Sequence, residues 1–117
     1  MTKELKILKD FFPIFNLIAH TDKRTRECLM KHLDVKACKA LFLLIEKIFE
    51  KNDIKLDNET LEFLRKNVSK KHQNRFMKCS NKQLSVKKKK QNVIQSGGSL
   101  ALILGTIIPL LSQLFKK

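Results

Sequence analysis

DVKACKALFLLIEKIFEK, residues 34–51, carries the strongest helix signal in the chain. Its apolar residues recur at the three- and four-residue spacing of one helix face, and Leu43 and Leu44 widen that face. Asp34 precedes the pattern and is a favoured N-cap residue. We therefore predict a helix from Asp34 to about Lys51 that forms the centre of the fold. Its predicted core face consists of Cys38, Leu41, Phe42, Ile45, Ile48 and Phe49.

Two further helices are predicted before this stretch. Lys3 to Ala19 has a helical apolar pattern, and we expect a kink or break near Pro13 because proline has no backbone N–H to donate. Asp22 can cap a helix that runs to about Leu33. This second helix should be mostly exposed, with a narrow apolar edge formed by Cys28, Leu29 and Leu33.

A fourth helix is predicted to start after Asp57. Asp57 can cap it, Glu59 favours the positive helix end, and Leu56 can pack on Leu61 across the start. Its predicted core residues are Leu61, Phe63, Leu64 and Val68. Beyond Val68 apolar residues are sparse, so we expect the basic segment to become helical on a partner and to bury too little to order alone. The predicted fold is all-α: a small helical bundle (1–68), a basic helical arm (69–96), and a Gly-Gly hinge with a hydrophobic helix (97–117).

Charge is divided unevenly along the chain, which has a formal net charge of +14. Residues 1–62 contain twelve Lys/Arg and eleven Asp/Glu, whereas residues 63–117 contain thirteen Lys/Arg and no acid. A half without acids indicates a polyanionic partner, either nucleic acid or an anionic membrane, although a solubilising tail has the same composition. The candidate DNA-binding residues are Arg65, Lys66, Lys70, Lys71, Arg75, Lys78, Lys82, Lys87, Lys88, Lys89 and Lys90.

These cations recur every three to five residues, so a helix would present them on several faces. That arrangement fits phosphate contacts better than base reading in a groove. Phe76 is the one aromatic residue among them, which argues against single-strand recognition by stacking. About ten phosphate contacts would make log affinity fall with log salt at a slope near −9.

The C-terminal segment from Leu100 to Phe115 has no charge. As a helix it would be about 24 Å long, against about 30 Å for a bilayer core, so it is marginal as a span. Interfacial insertion, self-association and completion of the N-terminal core all remain open. The candidate membrane residues are Leu100, Leu102, Ile103, Leu104, Ile107, Ile108, Leu110, Leu111, Leu114 and Phe115.

No pattern in the chain predicts an enzyme or a cofactor. A nucleophile with its base, paired acids and a phosphate loop are all lacking, since Gly97-Gly98 has no preceding strand and no following lysine motif. Cys28, His32 and Cys38 could offer metal ligands, but chance placement of thiols and an imidazole is the commoner explanation, and we predict no metal site. The odd cysteine count favours a reducing compartment, and the charged N-terminus does not resemble a secretory signal.

The order of segments resembles a known family. A helical module is followed by Leu84-Ser85-Val86-Lys87-Lys88-Lys89-Lys90, then Val93-Ile94, then Gln95-Ser96-Gly97-Gly98 and an apolar end. This layout is similar to the small basic proteins of Polinton (Maverick) elements and adintoviruses, which are likened to core protein X, the mu precursor, of adenoviruses. The resemblance covers about residues 30 to 117. Val86 in place of the commoner Leu, and a tail poorer in glycine, are departures from the family pattern.

The resemblance implies a non-enzymatic core protein that condenses double-stranded DNA, located in the virion and the host nucleus, with capsid or core proteins as partners. It also implies that an adenain-like protease recognises Gln95, Ser96, Gly97 and Gly98 and cuts after Gly98, whereas without it a plain hinge is the simpler explanation. The competing hypothesis is a membrane-active minor virion protein whose tail inserts into anionic membranes, before or after such cleavage.

Overall fold

Eight helices make up most of the described chain. A computed structural model describes residues 3–48, 57–78 and 81–115, with the backbone alone for Leu114, and these ranges contain no strand. The all-α prediction is therefore confirmed. The helices are α1 (Lys3–Asp10), α2 (Phe12–His20), α3 (Lys23–His32), α4 (Val35–Glu46), α5 (Asn58–Asn67), α6 (Lys70–Met77), α7 (Val86–Gln95) and α8 (Gly97–Phe115).

Aspartate side chains fix the starts of three predicted helices. The carboxylates of Asp22, Asp34 and Asp57 each accept a hydrogen bond of 2.7 Å from the backbone N–H three residues later. Hydrogen bonds from Thr25 hold the pKa of Asp22 below its ordinary value, and hydrogen bonds from Thr60 do the same for Asp57. Local sequence thus determines where α3, α4 and α5 begin.

The N-terminal helical segment is broken before Pro13, as predicted. α1 ends before Phe11, and α2 starts at Phe12 with Pro13 in its first turn. Proline is tolerated there because the N–H it lacks would have no acceptor within the helix. The break allows Leu8 of α1 and Phe15 of α2 to enter the same core.

α4 is the central element and packs against α1, α6 and α7. Its predicted core face is buried at every described position: Cys38, Leu41, Phe42, Ile45 and Ile48. Leu44, which the sequence places beside this face, is also fully buried. Residues 49–51, including Phe49, and Leu56 ahead of α5 lie outside the described residues.

α8 completes the core of the N-terminal helices. It packs against α2, α3 and α7, and the ring of Phe115 meets Phe12 edge-on at 5.6 Å between centroids. Among the arrangements left open by the sequence, the structure has the one in which the tail packs on protein. Leu100, Ile103, Leu104, Ile107 and Leu111 have no exposed surface, and Ile108 is buried as well.

Two helices within the predicted basic arm, α6 and α7, share this core. Phe76 of α6 and Val93 of α7 are buried, and α7 packs against α3, α4 and α8. The sparse apolar residues of this stretch predict that it orders only on a partner, whereas in the structure the rest of the chain packs against it. One core cluster therefore includes residues from all three predicted segments.

Two predicted core positions, Phe63 and Cys28, are exposed in the structure. Phe63 is 46% exposed, whereas Leu64 and Val68, which the sequence also assigns to the core, are buried. On α3, Cys28 is exposed, and the buried side chains are Arg26 and Met30. Of the predicted edge, Leu33 packs against the core, whereas Arg26 and Met30 take the inward positions on α3 itself. The outer face of α3 is exposed as expected.

Candidate nucleic-acid interface

The eleven predicted DNA-binding cations divide into an exposed and a partly buried group. Arg75, Lys89 and Lys90 are partly buried, and each has a contact within the protein. The other eight are exposed: Arg65, Lys66, Lys70, Lys71, Lys78, Lys82, Lys87 and Lys88. We call these eight residues the exposed cation set.

No carboxylate neutralises the exposed cation set within the described residues. The ion pair found there joins Lys47 of the N-terminal half to Glu4, with 3.1 Å between Nζ and Oε1. Over the ranges that the structure describes, acidic residues of the first half therefore do not compensate the exposed cation set through direct ion pairs. Positive surface stays available to an external anion, which is the condition that phosphate binding requires.

Four lysines lie at helix N-termini, where the helix dipole makes a positive charge unfavourable. Lys70 and Lys71 lie in the first turn of α6, and Lys87 and Lys88 lie in the first turn of α7. Neither turn has an acidic residue, and a serine N-cap precedes each helix. A cation near the positive end of a helix costs about 0.3–1 kcal/mol. Helix stability therefore does not explain these lysines, and the helix dipoles add to their positive potential.

Lys90 is a structural lysine. Its ammonium group donates hydrogen bonds to the backbone carbonyls of Lys31 (2.6 Å) and Leu33 (3.2 Å). These carbonyls lie at the C-terminus of α3, where the helix dipole favours a cation. Lys90 thus joins α7 to the end of α3, and its charge is largely satisfied inside the protein.

Lys89 and Arg75 also contact the protein. The Lys89 ammonium lies 5.8 Å from the centre of the Phe42 ring, within the range of a cation–π interaction. Arg75 donates a 3.3 Å hydrogen bond from Nη1 to the carbonyl of Gln95. The run of four lysines therefore separates into two exposed residues, Lys87 and Lys88, and two that support the fold.

The predicted protease site is folded in this structure. Ser96 is 1% exposed, and its Oγ lies 2.8 Å from Nδ1 of His72. Gly97 and Gly98 form the first turn of α8, and neither has a backbone conformation that only glycine adopts. A protease that binds an extended strand would have to unwind this turn first.

Within residues 3–48, 57–78 and 81–115, no single helix is both long and apolar enough to cross a bilayer. The pair Val86–Gln95 and Gly97–Gln113, which is bent by 87° at Ser96, has together the length and composition of a membrane span. The apolar residues that the sequence assigns to a membrane are the ones that α8 packs into the core.

Two charged residues that the sequence does not single out, Lys47 and Arg26, are buried in the described fold. Arg26 of α3 is only 8% exposed and lies near Gly97 at the start of α8. The spacing of Arg26, Met30 and Leu33 places all three on one helix face, which is the signal that could have revealed it. No group of three His, Cys, Asp or Glu side chains in the described ranges could hold a metal ion.

No family model, curated protein or solved structure matches this chain. Its function is therefore inferred from the fold and the surface. The relevant features are therefore the exposed cation set, the lysines at the starts of α6 and α7, and the junction between α7 and α8.

Proposed function

We propose that this chain is a non-enzymatic protein that binds and condenses double-stranded DNA through phosphate contacts, without sequence specificity. The observation that carries the proposal is the exposed cation set, eight residues with no carboxylate partner among the described residues. The resemblance to Polinton and adintovirus core proteins adds further proposals: a location in the virion and host nucleus, capsid or core proteins as partners, and processing by an adenain-like protease.

The form of the surface supports phosphate binding over base reading. The eight cations are distributed over three helices, α5, α6 and α7, with Lys78 and Lys82 between α6 and α7, and are not confined to a single helix that could enter a groove. Phe63, Met77 and Leu17 are exposed, but stacking on single-stranded bases uses several aromatic side chains along one groove. Contacts with the duplex backbone need only charge and reach, which these lysines and arginines supply.

A salt titration tests the proposal directly. Each phosphate contact contributes about −0.9 to the slope of log affinity against log salt, so eight contacts give a slope of about −7. This limit is shallower than the value near −9 expected from sequence, because Arg75, Lys89 and Lys90 have contacts within the protein. Duplexes of different sequence should bind with the same affinity. Weak binding with a slope near zero would refute the proposal.

A matched pair of variants locates the contacts. Lys87→Gln with Lys88→Gln should weaken DNA binding and make the slope shallower by about 2 units. Lys6→Gln with Lys9→Gln removes the same charge from exposed positions of α1, in the half where acids balance bases. If the α1 pair had the same effect as the α7 pair, net charge alone would explain the binding.

The membrane-active alternative requires α8 to leave the protein core. Its apolar side chains would have to exchange contacts with α2 for contacts with lipid, so we favour DNA binding for the folded chain. Leakage of dye from anionic liposomes compares the two functions, using the full chain and a chain that ends at Gly98. If the full chain causes leakage and the shortened chain does not, the membrane function is favoured. If both chains cause the same leakage, the tail is excluded as the active part.

A further inference from the structure

A cleft separate from the exposed cation set lies where α3 faces the junction of α7 and α8. It has a volume of ≈ 640 Å³ and opens to solvent. Three cations, one carboxylate and one imidazole line it together with the backbone of the junction. The charged and titratable lining residues are Lys23, Arg26, Glu27, Lys31 and His72.

Arg26 brings a buried cation with an unsatisfied donor to this cleft. Its side chain is 8% exposed, and no hydrogen-bond acceptor reaches its Nε among the described residues. Among the described residues, its guanidinium makes one hydrogen bond, a long one of 3.5 Å from Nη1 to the carbonyl of Thr21. The Asp22 carboxylate attracts the Arg26 charge but accepts no hydrogen bond from it. Burial of a donor without an acceptor is unfavourable, so Nε of Arg26 favours an anionic acceptor.

The start of α8 supplies a second set of donors beside Arg26. Leu100 N–H makes the first helical bond, 2.9 Å to the carbonyl of Ser96, so no carbonyl of α8 accepts from the N–H groups of Gly97, Gly98 and Ser99. A Cβ on Gly97 would lie 3.4 Å from Nε of Arg26, which shows how closely the guanidinium approaches this turn.

The geometry favours an oxyanion over other ligands. The dipole of α8, a helix of 19 residues, places partial positive charge at Gly97 and Gly98, and backbone donors of this kind bind phosphate groups in many proteins. Glycines let an oxyanion approach the backbone because they have no side chains. Ser96 does not compete for this position through its hydroxyl, which bonds with His72 at 2.8 Å.

We propose that this cleft binds a phosphate group, with the Arg26 guanidinium and the first N–H groups of α8 as donors and Lys23 and Lys31 as supporting charges. Glu27 lines the same cleft and opposes the binding. The phosphate could belong to free inorganic phosphate or to a nucleic-acid backbone, and the chemistry of the site is the same for both. This site does not depend on the exposed cation set and would remain if the proposed DNA binding were refuted.

Thermal unfolding of the full chain in inorganic phosphate tests the site, with sodium chloride at matched ionic strength as the reference. Phosphate should raise the unfolding temperature of the wild type because it binds the folded state. Arg26→Met should weaken the apparent phosphate affinity about tenfold or more, while the variant without phosphate stays as stable or gains stability. Arg24→Met makes the same charge change at an exposed position of α3 outside the cleft and should keep the full response. Glu27→Gln should strengthen the response.

A second measurement needs no variant, so it applies even if Arg26→Met fails to fold. Titration of ¹⁵N-labelled wild-type protein with phosphate should shift the signals of Arg26 Nε–H and of the Gly97 to Ser99 amides. An unchanged unfolding temperature in phosphate, an Arg26→Met response equal to that of the wild type, or shifts confined to Lys87 and Lys88 would each overturn the proposal.

Duplex DNA distinguishes the two sources of the phosphate. If the site holds a backbone phosphate, Arg26→Met should lower DNA affinity and make the salt slope shallower by about 0.9. If the site holds free phosphate, DNA affinity should stay unchanged while the phosphate response is lost. In both cases the loss of the phosphate response supports the site itself.

Discussion

Removal of α8 should unfold the rest of the chain. A protein that ends at Gly98 loses the side chains of Leu100, Ile103, Leu104, Ile107 and Leu111, which have no exposed surface. Burial of a Leu or Ile side chain is worth about 1.5–3 kcal/mol, so these five contribute about 8–15 kcal/mol. That contribution is as large as the whole free energy of unfolding of a typical domain, about 5–15 kcal/mol. The shortened chain should therefore lose cooperative thermal unfolding, measured by circular dichroism.

A chain that ends at Phe115 is the control, because it keeps all of α8 and should unfold as the full protein does. A single substitution gives a graded version of the test. Ile107→Ala should lower the free energy of unfolding by about 2–5 kcal/mol, whereas Leu17→Ala, at a position that is 50% exposed, should change it by less than about 0.5 kcal/mol. Cooperative unfolding of the chain that ends at Gly98, within a few degrees of the control, would refute the assignment of α8 to the core.

Three further predictions concern single residues. In a Cys79→Ser variant, a thiol reagent should modify exposed Cys28 at once and Cys38 only on unfolding. Burial excludes the reagent from Cys38 and raises the pKa of its thiol. Rapid labelling of both cysteines, measured by mass spectrometry, would contradict the described packing of α4. Lys90→Met should lower the free energy of unfolding, measured in urea, by about 0.5–1.5 kcal/mol, because it removes the hydrogen bonds to the end of α3. It should also weaken DNA binding less than the loss of an exposed lysine does. Unchanged stability would show that the bonds to α3 do not form. Gly98→Ala should raise the free energy of unfolding by about 0.5–1 kcal/mol, because alanine favours the helix and a Cβ there meets no atom within 4 Å; a lower thermal midpoint would contradict the helical start of α8.

Features set by neighbouring residues were predictable from the sequence. Asp34 and Asp57 cap the helices that follow them because a carboxylate needs only the N–H three residues later. Pro13 breaks the N-terminal segment for an equally local reason. The core face of α4 follows from apolar spacing alone. In each case the cause and the consequence lie within one or two helical turns.

Features set by distant residues were not predictable in the same way. Val93 and Phe76 are too isolated in their own segment to predict a packed helix, and they are buried because α3, α4 and α8 surround that segment. Phe63 is exposed because packing against the rest of the chain selects Leu64 as the inward residue of α5. The spacing of Arg26 and Met30 places Arg26 on the inward face of α3, but its burial also depends on the approach of the α8 start, 71 residues later in the chain, which that spacing does not encode.

The position of α8 also changes what cleavage after Gly98 would do. Glycine lowers the cost of unwinding the first turn of a helix, by about 0.5–1 kcal/mol per residue relative to alanine, and so makes the Gly97-Gly98 turn easier for a protease to extend. Under the proposal that an adenain-like protease acts here, the cut would separate the basic helices from the apolar body that supports them. α7 packs on α8, so its lysines would keep their fixed positions only while the cut helix stayed bound. Cleavage would then convert an ordered basic surface into a flexible cationic chain, which can follow a DNA backbone because it has no fold of its own to preserve.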